Sequence, residues 1–269
     1  MTSDGSAAPV FPGATSVSEL EVYDGVAPDG LAGGTPHLHV VSAEAYLVIA
    51  GRGRLHTIDG SGFAEHPLEP GSLVWFQPGV IHRAVNDGGL EVRVIMQNAG
   101  LPEAGDAVMT FPDEVLADAD RYRAAAALPG AGPGPGHSDA ERLAAAHARR
   151  DLAVEGYLAL FDADGSVHAG RLARLYERAV ALVAPRAAEW RERWRAGALA
   201  TATETGERLD ALEAGRDPGL AGARVASTAA APAFGMCGRL RRYETQPAAP
   251  NAATPTRPAE PATQEENDA

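Results

Sequence analysis

A chain of 269 residues with a net charge of −13 can hold one large domain or two small ones, and its acidity argues against nucleic acid, whose backbone asks for a cationic footprint. No hydrophobic run approaches the ~20 residues that a bilayer-spanning helix needs. Cys237 is the only cysteine, which excludes an internal disulfide and fits a cytoplasmic protein. All 23 basic residues are arginines, so Schiff-base chemistry through a lysine amine is excluded. Residues 1–129 carry 6 arginines against 17 acids, while residues 130–245 carry 16 against 15. The first part is therefore the acidic one, and the expected partner is a neutral or cationic small molecule.

In chain order, residues 1–14 have neither a basic start nor an apolar stretch and read as a flexible N-terminus, not a signal peptide. Residues 15–112 then hold short runs rich in branched and aromatic residues: 44–50, 54–58, 72–76, 81–85 and 91–96. Turn-forming segments separate them, at Gly51-Arg52-Gly53, Asp59-Gly60-Ser61-Gly62, Pro70-Gly71, Pro78-Gly79 and Asp87-Gly88-Gly89. Strands at such intervals, with no helix between them, predict an antiparallel sandwich or barrel.

Successive residues of a strand face opposite ways, so in His37-Leu38-His39 the two imidazoles share a face, and Glu44 can return to it from the next strand. With His82 they make a set of three imidazoles and one carboxylate that suits one divalent transition metal, iron first, with manganese, zinc, nickel and copper as alternatives. If Glu44 points inward, Tyr46 and Val48 do too, and if His82 does, so do Ala84 and Asn86. With Trp75 these are the candidate cavity-lining residues. A lone histidine is more often packed or exposed than ligating, and His56, His66, His137, His147 and His168 are read that way.

The spacing Gly34-(x2)-His37-x-His39-(x4)-Glu44-(x6)-Gly51, followed by Gly71-(x6)-Pro78-Gly79-(x2)-His82-(x3)-Asn86, resembles the two signature motifs of the cupin superfamily. The leading glycine of the first motif is offset, and Gln77 stands where the family more often has proline. Neither departure touches a ligand. The resemblance implies a mainly β fold, a jelly-roll β-barrel over 15–112 that binds a metal, and barrels that often pair as homodimers. The apolar face of Ala45, Leu47 and Ile49, opposite the metal side, is compatible with such pairing.

Past the barrel, residues 113–129 read as a connecting helix and 130–137 as a Gly/Pro linker. Ser138 to Glu141 looks like a capping box that opens an α-helical region over 138–244. There Leu172, Leu175, Tyr176, Ala179, Leu182 and Val183 recur at helical spacing, followed by Trp190 and Trp194. This stripe is either packing against the barrel or a lid over its mouth, with packing the ordinary meaning. The start Asp162-Ala-Asp164-Gly165 is like that of a calcium loop, but Ala173 stands where the bidentate Glu is required. Residues 234–243 are a possible terminal strand, and 245–269 have the composition of a disordered tail.

Three functions fit this sequence: an oxygenase-like Fe(II) enzyme acting on a small organic molecule, a metal-dependent isomerase or epimerase of a sugar-like substrate, and a non-catalytic small-molecule-binding barrel. The catalytic residues beyond the ligands are not legible.

Overall fold

The computed structural model describes residues 9–129 and 136–245. Its first strands are β1 (Ser16–Val22), β2 (His37–His39), β3 (Glu44–Asp59), β4 (Gly62–Leu68), β5 (Leu73–Phe76), β6 (Ile81–Met96) and β7 (Ala107–Met109). The branched residues of β3 and β6 pair antiparallel along the full length of both strands, with register shifts between Val48 and Gly53. There Gly51 adopts φ +70°, and a Cβ on it would lie 2.0 Å from the Gly89 carbonyl oxygen. The stretches 51–53 and 87–89, expected to separate strands, therefore bend continuous ones, since glycines and bulges let a ladder turn a corner without ending it.

The bend divides the sheet into two halves. In one, β5 pairs with residues 44–47 of β3, which pair with 93–96 of β6, which pair with β1. In the other, β4 pairs with 53–59 of β3, which pair with 81–86 of β6, and His82 of β6 pairs with His37 of β2, whose other neighbour is β7. The halves meet face to face. Tyr46 and Phe76 of the first half approach His82 of the second, with ring centroids 6.5 and 4.2 Å apart.

The helices are α1 (Asp113–Leu116), α2 (Ala119–Ala126), α3 (Asp139–Leu158), α4 (Ala169–Val183), α5 (Ala187–Trp194) and α6 (Ala200–Glu213). Residues 113–129, expected as one helix, form two, because Asp118 leaves the helical conformation and its carboxylate caps the amides of Asp120 and Arg121. The Ser138–Glu141 capping box opens α3, and His168 Nδ1 accepts from Gly170 and Arg171 to open α4. After the helices, β8 (Ala230–Phe234) and β9 (Gly238–Tyr243) form a hairpin, and β9 pairs with β1.

The path β4-β3-β6-β1-β9-β8 does not close, because the late hairpin extends the β1 edge and no ladder joins it back to β4. The expected barrel is thus a rolled, open β-sheet fold followed by helices. The greater part of the expected linker, N-terminal segment and tail lies outside the described residues.

Two cores follow from the period-2 alternation of the strands. Inside the roll, Leu20, Tyr46, Val48, Leu55, Leu68, Val92 and Val94 pack together with Cys237. On the outer face of the second half, Leu38, Ile58, Ile81 and Val108 pack against Ala153 and Tyr157 of α3, Leu172, Leu175 and Ala179 of α4, and Trp190 of α5. Each such large side chain taken fully out of water contributes roughly 1.5–3 kcal/mol. Trp190 is buried and its indole N–H donates to the Ala104 oxygen at 3.3 Å, whereas Trp194 is 39% exposed. Leu172, Leu175 and Ala179 of the stripe are buried in this packing, and only its end, Leu182 and Val183, reaches the cavity beside the ligands. α3 can approach the sheet only because Gly156 is bare, since a Cβ there would sit 2.1 Å from the Thr110 oxygen.

Candidate metal centre

β2 places Leu38 in the outer core and turns His37 and His39 into the roll; β6 adds His82 on the same face, and Glu44 enters from β3 in the opposite half. One potential ligand atom from each of His37, His39, Glu44 and His82 lies within 4.8 Å of the others, and all four residues are buried. The Nδ1 atom of every ring is occupied on the far side: His37 with Thr35 O at 2.9 Å, His82 with Val80 O at 3.1 Å and His39 with Asp106 Oδ1 at 2.5 Å. Carbonyl and carboxylate oxygens accept, so each Nδ1 carries the proton. The three Nε2 atoms then face one another across the centre.

That arrangement is costly without an ion. Glu44 Oε2 comes within 3.2 Å of His39 Nε2 and 3.0 Å of His82 Nε2, yet Glu44 Oε2 and His82 Nε2 are buried without an aligned hydrogen bond. Burial, together with the nearby His82 and His39 rings, holds His37 well below the usual histidine range, so it stays neutral and able to ligate. Burial by itself would raise Glu44, but His82 and His39 outweigh it and hold the carboxyl well below its ordinary value. Burial also opposes charge on His39, and here Asp106 and Glu44 prevail and lift it to about 10. Convergent Nε2 atoms, an ionised carboxylate and orphaned buried acceptors fit a transition metal held by these four residues.

The centre forms one wall of a cavity of about 720 Å³, within the usual range for small-molecule sites. Leu20, Val94, Met96, Met109 and Leu240 line its apolar part, and the rim is formed by α2, the end of α4 with the corner that follows it (181–186) and the β8–β9 turn. Of the expected lining residues, Tyr46 is there, buried against the ligands. Burial and Glu44 push its hydroxyl well above the usual range, so it keeps its proton.

The other four lie elsewhere. Val48 and Ala84 point inward, but into the packed core of the roll and not into the cavity. Asn86 is a buried structural brace: its Nδ2 donates to Val22 O at 2.8 Å, and its Oδ1 accepts from the amides of Gly88 and Leu90 at the bend of β6. Trp75 is 74% exposed, because β5 sets Phe76 opposite Glu44 and Trp75 opposite Ala45, and that parity turns the indole outward.

Sequence reasoning missed Asp106, Cys237 and the arginines of the wall. Asp106 is fully buried, 67 residues from the histidine it holds, and no motif spacing marks it. Cys237 Sγ rests 4.0 Å from His37 Nδ1, and burial pushes its thiol up to about 12, which leaves it an inert packing group. Among the described residues, Arg123, Arg149, Arg186 and Arg242 line the cavity, against Glu44 and Glu103 for the acids. The acidity of the whole chain is thus not the character of its cavity.

Residues 25–97 match the family described as the cupin domain. This part of the chain is a cupin domain. No curated protein matches the chain. Solved structures similar to it include an uncharacterized conserved protein with a double-stranded beta-helix domain from Klebsiella pneumoniae, at 19% identity over 36% of this chain and 78% of that one, TM-score 0.25. DMSP lyases match at 21% identity, TM-score 0.26, over 35% of this chain and 42% of theirs. An oxalate oxidase in complex with glycolate matches at 16% identity, TM-score 0.23, over 36% of this chain and 56% of that one. The chain thus spans less than half of the lyase and little more than half of the oxidase.

Proposed function

We propose that the protein is a mononuclear metal enzyme of the oxygenase type, with Fe(II) as its ion, acting on a small organic molecule. The observation that carries this reading is the convergence of three Nε2 atoms and one carboxylate oxygen at the wall of an apolar cavity wide enough for a substrate. A six-coordinate iron held by four protein ligands would keep two positions for substrate and dioxygen.

The chain's own residues contribute enclosure and orientation. Leu20, Val94, Met96 and Met109 exclude water beside the ligands, and Tyr46 offers a hydroxyl that stays protonated. An isomerase needs a free base next to its substrate. Apart from the ligands, the wall's only carboxylate among the described residues is Glu103, at the rim, where it accepts from the Gly100 amide at 2.8 Å. This favours redox chemistry over proton shuttling. The reading extends to a homodimer formed through the outer face where Ile49, Leu73 and Trp75 are 42%, 53% and 74% exposed. A monomer in sedimentation would remove that part.

The test is anaerobic loading with Fe(II) and exposure to nitric oxide as a dioxygen surrogate, followed by oxygen uptake against a panel of small metabolites. A high-spin iron–nitrosyl signal and substrate-dependent oxygen consumption are expected. Turnover of a sugar at full rate under argon would replace the oxygenase reading with the isomerase one.

A further inference from the structure

The cavity wall holds a positive charge that the protein does not balance. Among the described residues two arginines are fully buried, and each meets a carboxylate: Arg83 pairs with Asp29, and Arg150 with Asp151 at 2.7 Å. Arg149, half-buried and next to Arg150 on α3, differs. Its Nη1 donates to Ala126 O at 3.1 Å and its Nη2 to Gly235 O at 2.8 Å, while its Nε is sealed from solvent without a partner. Among the described residues it is in no ion pair. A guanidinium keeps its charge at any physiological pH, so partial removal from water without a counter-charge is unfavourable.

The place of this charge matters as much as its isolation. Arg149 and both residues whose carbonyls it holds line the cavity that ends at the metal ligands. Gly235, whose carbonyl Arg149 holds, lies two residues before Cys237, which packs 4.0 Å from His37 Nδ1. Arg242 joins it from β9: Leu20, Leu240 and Arg242 share the inner face of their strands, and Arg242 too lines the cavity without an ion pair. The other two arginines of the wall are already matched, Arg123 by Asp120 and Arg186 by Glu189.

We infer that the cavity takes a small organic oxyanion, a carboxylate whose acid group pairs with Arg149 while the rest of the molecule reaches the four ligands. The planar guanidinium fork matches a carboxylate, and phosphate and sulfonate share that chemistry. Only the second half of this assignment rests on the metal reading. It also replaces the neutral or cationic partner suggested by net charge, because the acidic residues of the chain lie mostly outside the cavity and this wall is cationic.

The experiment titrates purified protein, as isolated and after chelation, with acetate, benzoate and 3-phenylpropanoate, each against its neutral amide, and with phenyl phosphate and benzylamine. Binding is read by calorimetry and thermal shift, and metal content by elemental analysis. At least one of the anions binds, the amides and the amine do not, and a preference for phenyl phosphate over the carboxylates identifies a phosphate ligand. Arg149→Met weakens anion binding roughly ten- to a hundredfold, the loss of a charge-assisted hydrogen bond. Its metal content stays unchanged, and Arg149→Lys recovers part of the affinity. Equal binding of acids and amides, no binding by any of the anions, or undiminished affinity in Arg149→Met overturns the inference. Should Arg149→Met fail to fold, the wild-type charge series still decides. Anion binding by protein that never takes up metal would sink the metal reading and leave this one standing.

Discussion

Asp106→Asn offers the sharpest test of how the metal centre is organised. Asp106 is fully buried, its Oδ1 lies 2.5 Å from His39 Nδ1, and its Oδ2 has no hydrogen-bond partner, so its negative charge is there for His39. It fixes which nitrogen of the ring bears the proton and strengthens the Nε2 donor on the other side. Asparagine keeps the shape and removes the charge. A hydrogen bond to a charged group is worth roughly 1.5–3 kcal/mol, which converts to a loss of roughly ten- to a hundredfold in metal affinity. The usual effect of removing a carboxylate behind a ligating histidine, about 10–100-fold, agrees. The assay is competition with a chromophoric chelator, with circular dichroism as a check on folding. A folded variant that binds metal within about threefold of wild type would refute the role given to Asp106.

Two further outcomes follow from the same geometry. In the metal-free protein His39, lifted to about 10 by Asp106 and Glu44 against burial, holds a proton at neutral pH that an incoming ion must displace. Metal binding should therefore release a proton below pH 10, and affinity should rise as pH rises toward that value; calorimetry at pH 7.5 in buffers of different ionisation enthalpy measures it, and identical heats in all buffers would count against it. Gly156→Ala places a Cβ 2.1 Å from the Thr110 oxygen, so α3 must shift off the sheet. A loss of about 1–3 kcal/mol in chemical denaturation is expected, as for an overpacked core, whereas alanine at Gly206, with nothing within 4 Å, should cost no stability.

The ligand set was legible because its logic is local. Alternation along a strand puts His37 and His39 on one face whatever lies around them, and the same rule assigns Leu38 to the opposite core. Helix starts at Ser138 and the stripe from Leu172 to Val183 were local in the same sense. Trp75 shows where that logic stops, since its side of the sheet depends on the register of β5 against β3, and a slip of one residue reverses every side chain. Whether Gly51 and Gly89 end strands or bend them was likewise decided only when β3 and β6 paired across the corner.

The groups that give the site its character lie still further off. Asp106 reaches His39 across 67 residues, Cys237 reaches His37 across 200, and Arg149 arrives on a helix that packs beside the roll. The sequence by itself determined which atoms can hold a metal, because strand geometry is a property of a few consecutive residues. Only the tertiary structure decided which charges surround them, because a net charge of −13 is summed over the whole sequence while the sign of the cavity depends on the few side chains that packing leaves facing inward.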